Sequence, residues 1–496
     1  MNRLLSLLFL ALPGTLLAQA PIYKNFEVDQ EAMPRGGLST FNSFLKANLR
    51  KPTGASAQGI GGTVMISGVV EPDGHVSDAT VLRSLRPDLD REALRVFRQF
   101  NAWQPARKDN QAVRQTVSTR IQFPPNTPFA FADGRQTLYY TAAGELATDS
   151  SLAVSKVVSP LDSLGLPSGD LTVYSRKRKS WDAGKSIQLV REKITISPAP
   201  MLGEHLPASD PKPGTLLGYK TALDTWFGTV YTLNQAGHLY EETIYNDKGY
   251  PSGERTLYHD HGVVAKQVML DEQYEQTTTW YASGQLREIR SRVRKAPLTP
   301  GPQPADRVLV FWAPDGRQTV VNGTGTAVYE TEEAGKAGAE PVRFTEQGQF
   351  VNQLRQGVWT GQTSDGSYAF RETYVDGMLQ AGAAYRPGKD SIRYTTPVQQ
   401  PEFTGGMNGL GQFLAQNLRY PADAQRAGQQ GRVFVGFVVC EDGTLCDYTV
   451  QKGLSPSIDE EAVRVVKAMS GRWTPGYQRG EAVRVKYNLP INFSLY

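Results

Sequence analysis

Cysteine is nearly absent, with two in 496 residues. That excludes a disulfide scaffold and a cysteine-rich zinc site. Histidine numbers five, too few to build a multi-histidine metal centre with ease. Neither sign of charge dominates: 53 Lys and Arg against 49 Asp and Glu leave a net +4, too mild at this length to indicate a nucleic-acid partner. Past the first twenty residues, no apolar run approaches the roughly 20 residues that a membrane-crossing helix needs. Nucleophile-elbow, HExxH and CxxC patterns are all missing. Gly323-Thr324-Gly325 lacks the Lys-Ser/Thr that closes a phosphate loop and reads as a turn. His259-Asp260-His261 reads as a solvated turn, not a metal pair. Glu460-Glu461 at a helix start and Glu332-Glu333 in a polar loop show no burial pattern that would tune them for acid–base work. No catalytic residue, metal, cofactor or small-molecule substrate is expected, so binding is the remaining mode of action.

The chain opens MNRLLSLLFLALPGTLLAQA. Arg3 supplies a positive start, Leu4–Leu12 an apolar run, and Ala18-Gln19-Ala20 the small-x-small pattern of a signal-peptidase site. Leu4–Leu17 is 14 residues and holds Pro13-Gly14, short of a spanning helix. The expectation is cleavage after Ala20 and a secreted or periplasmic protein. If it is uncleaved, the segment would anchor the chain to the inner membrane.

The chain then matches itself at its two ends. Gly36-Gly37, Phe44-Leu45, Asn48-Leu49-Arg50 and Pro52 return 369 positions on as Gly405-Gly406, Phe413-Leu414, Asn417-Leu418-Arg419 and Pro421. The match continues through Asp73-Gly74/Asp442-Gly443, Pro87/Pro456, Asp90/Asp459 and Glu92-Ala93/Glu461-Ala462. After a one-residue insertion, Trp103-x-Pro105 meets Trp473-x-Pro475 and Ile121-x-Phe123 meets Ile491-x-Phe493. One domain is therefore present twice.

Within copy 2, Phe413–Leu418 predicts a short helix that Pro421 ends. Val433, Val435, Phe437 and Val439 alternate as a half-buried strand, Asp442-Gly443 signals a hairpin, and Leu445–Lys452 returns. Ser457-x-x-Glu460 predicts a capping box before the stripe Ala462, Val465, Val466, Met469. Copy 1 repeats the stripe as Ala93, Val96, Phe97 and Phe100, with Asp88 as the capping candidate. Trp473-Thr474-Pro475 leads to a third strand over Ala482–Phe493. The order predicts an α+β domain: a three-stranded antiparallel sheet with helices on one face.

This pattern resembles the TonB C-terminal domain, on Tyr420-Pro421, Ala424, Gly428, Gly431, the hairpin VFVGFVVCEDGTLCDYTV, the helix DEEAVRVVKAM and Trp473-x-Pro475-Gly476. The likeness covers nearly all of Pro401–Tyr496. Copy 1 departs from it, with Lys51 in place of the tyrosine and Ala106 in place of the glycine. The resemblance implies a partner: a TonB-dependent outer-membrane receptor whose extended TonB-box segment adds to the edge of the sheet. It places the edge on Val483–Phe493, where Val483, Val485, Tyr487 and Leu489 share one face, helped by Leu418, Arg419, Tyr420 and Pro421.

The middle, 126–397, is rich in Tyr, Trp, Gly and Thr. Units such as Tyr231…Gly237-His-Leu239, Tyr258…Gly262-Val-Val264, Tyr281…Gly284-Gln-Leu286, Trp312…Gly316 and Tyr374-Val-Asp-Gly377 put an aromatic before a turn glycine. They resemble MORN-like hairpin repeats, over 126–300 and on through 301–397. Pro198–Pro213 and Ala296–Pro304 read as linkers. The divisions expected are 1–20, 21–125, 126–300, 301–397 and 398–496. Cys440 and Cys446 flank the Asp442-Gly443 turn, placed either for a cross-strand bridge or as two free thiols. The function expected is a periplasmic TonB-like protein in energy-coupled transport. The alternative is a non-transducing envelope scaffold whose modules bind other envelope proteins or cell wall.

Overall fold

The computed structural model describes residues 20–495 apart from 148, 163–164, 179, 197–211, 222–223, 247, 272, 294–305 and 334–340. The signal segment with Ala18 and the linkers 198–211 and 296–304 lie outside the described residues. Pro213 belongs instead to a strand, Lys212–Lys220. The chain forms two compact units. The first takes in the described residues up to Ile196, then Lys212–Val293 and Leu309–Thr319. The second takes in Asp306–Val308 and the residues from Val320 on.

Copy 1 is built from β1 (Ile22–Tyr23), α1 (Gly37–Asn48), β2 (Gly62–Val70), β3 (Val76–Arg83), α2 (Pro87–Gln99) and β4 (Gln111–Phe123). Its sheet runs β1-β4-β2-β3. The pairs β4-β2 and β2-β3 are antiparallel, as expected, and β1 adds a parallel fourth strand. The stripe Ala93, Val96, Phe97, Phe100 is wholly buried. Gly74 turns the β2–β3 hairpin at φ +88, and a Cβ there would stand 2.3 Å from the Trp103 carbonyl oxygen. Only glycine fits that approach and that dihedral.

Copy 2 repeats the plan with α3 (Gly406–Asn417), β5 (Gly431–Val439), β6 (Leu445–Lys452), α4 (Pro456–Lys467) and β7 (Val485–Phe493), sheet order β6-β5-β7. Three predicted details change. The first helix begins at Gly406 rather than Phe413, because Gly405 in the left-handed region caps it. Three glycines in its first six residues hide the helical signal. The capping box is absent, since α4 starts at Pro456 with Ser455 before it and no side-chain cap. Asp459 instead accepts the Leu454 N–H at 2.8 Å, as Asp90 accepts that of Leu85 at 3.1 Å in copy 1. Asp88 likewise caps nothing: it lies inside α2 and bonds the Leu89 N–H and the Arg86 side chain. The predicted strand Ala482–Phe493 is broken at Arg484. Its first part, Glu481–Val483, folds back on Gly476–Gln478.

The middle is an antiparallel meander in which sequence neighbours pair. In the first unit one sheet runs from Ala130–Ala132 to Ser180–Ile187 and a second from Leu189–Ile196 to Leu286–Val293; in the second unit the strands run from Thr324–Glu333 to Ile392–Tyr394. The predicted turn glycines Gly237, Gly262, Gly284, Gly316 and Gly377 all have positive φ. Glu332 and Glu333 belong to a strand, not a loop. His259 and His261 are not merely solvated: their Nε2 atoms meet the carbonyls of Trp280 at 3.1 Å and Ala282 at 2.8 Å on the next hairpin.

In the second unit, copy 2 is fastened to the meander by its hairpin tip. Arg479, at φ +48, is 7% exposed and bonds Glu372, itself fully buried, at 2.7 Å. Its guanidinium lies 3.5 Å from the Phe370 ring centroid. Glu372 also accepts the hydroxyls of Tyr374 at 3.0 Å and Tyr394 at 2.8 Å. Buried Glu346 pairs with Arg355 at 2.6 Å and lies 4.0 Å from Arg479. Two acids and two arginines thus balance inside the fold. A bidentate Arg386–Glu481 bridge flanks them.

Replacing Arg479 by Met leaves Glu372 buried without its cation and should cost the second unit about 3–5 kcal/mol. Adding Glu372→Gln should recover part of that, as denaturant titration of both variants will measure. Burial lowers the His259 pKa from 6.5. The neutral ring therefore supports the fold fully above about pH 6.5, and that support fades as pH falls through the lowered folded value. Melting of the first unit should fall with acid over this window, and His259→Gln should flatten the dependence.

Candidate functional site

In copy 2, β7 pairs only with β5, from Val439↔Val485 to Gly431↔Phe493, so its other side is an edge of the sheet. Leu489 is buried, Val485 and Tyr487 are half-buried, and Lys486, Asn488 and Pro490 are exposed, which is the predicted alternation. Tyr487 packs on Trp473 at 4.9 Å and on Phe437 at 5.6 Å between ring centroids. Beside it lies a cavity of about 250 Å³, lined by Phe403, Met407, Leu410, Trp473 and Tyr487 among others.

The predicted site residues fall into separate places. Val485, Tyr487 and Leu489 stand on the edge strand, Val485 and Tyr487 toward its Trp473 end. Val483 sits in the small hairpin, opposite Gly476. Leu418 ends α3 and Pro421 precedes the short helix Ala422–Arg426. The Arg419 N–H is taken by Glu461 at 2.7 Å. Tyr420 packs edge-on against Phe493 at 5.7 Å and donates its hydroxyl to the Gln429 carbonyl. Leu418–Pro421 thus flanks the far end of β7, eight residues from Val485. In copy 1, Lys51 holds the Tyr420 position and reaches the Pro124 carbonyl at 2.9 Å.

Copy 1 shows what such an edge can take. β4 carries β1 in parallel register, Ile22 opposite Arg114 and Tyr23 opposite Gln115. Arg114 donates to the Ala20 carbonyl at 3.2 Å, and Lys108 lies 4.5 Å over the Tyr23 ring. With the one-residue insertion, Arg114 and Gln115 correspond to Arg484 and Val485. The place that this chain's own Ile22-Tyr23 fills in copy 1 is therefore open in copy 2. The periodicity of two residues is too short to announce a strand, so the sequence alone did not reveal β1.

The cysteines are two free thiols here. Cys446 hydrogen-bonds Cys440, and that contact chiefly raises its pKa. Arg484 lies 3.3 Å from Cys446 and 2.7 Å from Asp447. In copy 1 the same three positions are Glu71, Ser77 and Arg114, and Arg114 grips Glu71 twice at 2.8 Å. A carboxylate partner in one copy has become a thiol pair in the other, beside the same edge. Among the described residues no cluster of metal-ligating side chains occurs, and no helix is long and apolar enough to cross a membrane.

The family model of the Gram-negative bacterial TonB protein C-terminal matches twice, at residues 48–125 and 416–495. Two solution structures of the Helicobacter pylori TonB C-terminal domain are similar in sequence. One is 26% identical over 18% of this chain and 78% of that one, with a TM-score of 0.15. The other is 25% identical over 18% of this chain and 91% of that one, also with a TM-score of 0.15. No curated protein matches. The family match covers the two ends. The chain thus carries two domains of the TonB C-terminal family, one at each end.

Proposed function

We propose that this is a TonB-like binding protein of the periplasm whose copy 2 takes up an extended segment of a TonB-dependent outer-membrane receptor by β-strand addition. The observation that carries the reading is the difference between the two edges. The strand equivalent to β7 is capped at Arg114 and Gln115 by Ile22–Tyr23 in copy 1, and among the described residues β7 pairs with no strand on its outer side. An added strand would satisfy the open row of backbone groups, giving affinity that is largely independent of sequence. Selectivity would come from alternate side chains, one of which can enter the cavity between Met407, Leu410 and Tyr487. The role is recognition in energy-coupled transport, with no chemical step on the receptor.

The test is cross-linking in the full chain, with Cys440→Ser and Cys446→Ser as background and Lys486→Cys as the single reporter. A receptor TonB-box peptide carries one cysteine, moved residue by residue along its length. Strand addition predicts disulfide yields that peak at one register and alternate with a period of two. Uniform yields, or none, would contradict it.

A further inference from the structure

Copy 1 is not free-standing within the first unit. Three turns of the meander seat on it. At the Gly262 turn, the Val264 N–H donates to Asn48 Oδ1 at 2.7 Å, with both residues buried. At the Gly284 turn, the Asn101 N–H donates to the Ser283 carbonyl at 2.9 Å. A Cβ on Gly284 would stand 2.7 Å from the Phe44 ring. At the Gly316 turn, Arg35 donates to the Pro314 carbonyl at 3.1 Å. Val263, Val264, Trp280 and Leu286 are buried in the same core as Phe41, Phe44 and Phe100.

Copy 2 keeps the parts of this seat. Phe413 matches Phe44, Asn417 matches Asn48, and Gly405 matches Gly36. Asn417 is also held in the same pose: its Nδ2 donates to the Phe413 carbonyl at 2.8 Å, as that of Asn48 does to Phe44 at 2.9 Å. That pose leaves Oδ1 facing outward in copy 1, where it meets Val264. In copy 2, Asn417 Oδ1 has no partner among the described residues. Phe413 and Asn417 are half-exposed where Phe44 and Asn48 are buried. Over Phe413, where copy 1 holds the Gly284 turn over Phe44, lies the guanidinium of Arg472, 5.1 Å from the ring centroid.

We infer that the α3 face of copy 2 is a second docking site, for two glycine turns of neighbouring β-hairpin repeats on another protein. Its Phe413 packs under the glycine of one turn and its Asn417 Oδ1 accepts a backbone N–H just past the other. The occupant's chemistry is read from copy 1: an aromatic, a left-handed glycine three or four residues on, then an apolar residue. This chain's own Gly262 and Gly284 turns are seated on copy 1, and the occupant inferred is a different protein. The site lies on the helical face and does not depend on strand addition at β7.

The probe is a labelled peptide of Leu257–Arg290, which carries both the Gly262 and the Gly284 turns, with its binding to the full chain read by fluorescence anisotropy. One peptide should bind per chain. Asn417→Leu should weaken binding roughly tenfold, the equivalent of about 1.4 kcal/mol. Arg472→Ala, which uncovers Phe413, should strengthen it, and a peptide with Gly284→Ala should not bind. Saturating the chain with a TonB-box peptide should change none of this. No binding up to about 1 mM, which corresponds to roughly 4 kcal/mol, would overturn the inference. So would equal affinity for the Asn417→Leu protein, or competition by the TonB-box peptide. Self-association of the full chain that Asn417→Leu abolishes would assign the face to a second copy and overturn it too.

Discussion

A β-strand leaves a row of N–H and C=O groups along each side, and an unpaired row in a folded protein invites another strand. Within each sheet of the middle of this chain, the row is taken by the next strand in sequence. That is why the left-handed glycines recur where they do. At the ends the constraint is met differently. Copy 1 uses two residues of its own chain, Ile22-Tyr23, to cover the outer side of its long third strand at Arg114 and Gln115. Copy 2 leaves the same side of Val485–Phe493 open.

The two copies share a core and differ where they touch other things. The stripes on α2 and α4, the Trp103 and Trp473 anchors and the turns at Gly74 and Gly443 are common to both. Asp109 at the exposed hairpin tip of copy 1 corresponds to Arg479, which copy 2 buries on Glu372. Lys51 corresponds to Tyr420, and Glu71 with Ser77 to Cys440 with Cys446. Copy 1 is attached to the meander through its first helix, and copy 2 is attached through its hairpin. Each mode of attachment leaves the opposite face available, and so copy 2 presents both an open edge and an open helical face.

The end domains were legible because a 369-residue offset repeats apolar period, turn glycines and prolines together. No single propensity would have fixed so much. The helix Gly406–Asn417 was underestimated because glycine at three of its first positions suppresses the helical pattern while tertiary packing of Leu410 and Phe413 holds the turn. The capping serine was misplaced by two residues because Pro456 can open a helix and Asp459 bonds the loop instead. The break at Arg484 and the strand Ile22-Tyr23 leave no periodic trace. The buried Arg479 was invisible for another reason: a charged residue in a glycine-flanked turn reads as solvated unless its acidic partners, more than a hundred residues away, are known.

The account turns on which edge receives a foreign strand, and backbone amide hydrogen exchange reads that directly. With a receptor TonB-box peptide bound to the full chain, outward-facing amides along Val485–Phe493 should gain protection, while those of Arg114 and Gln115, already beside Ile22–Tyr23, should exchange unchanged. Protection gained in copy 1 with copy 2 unaffected would contradict the account.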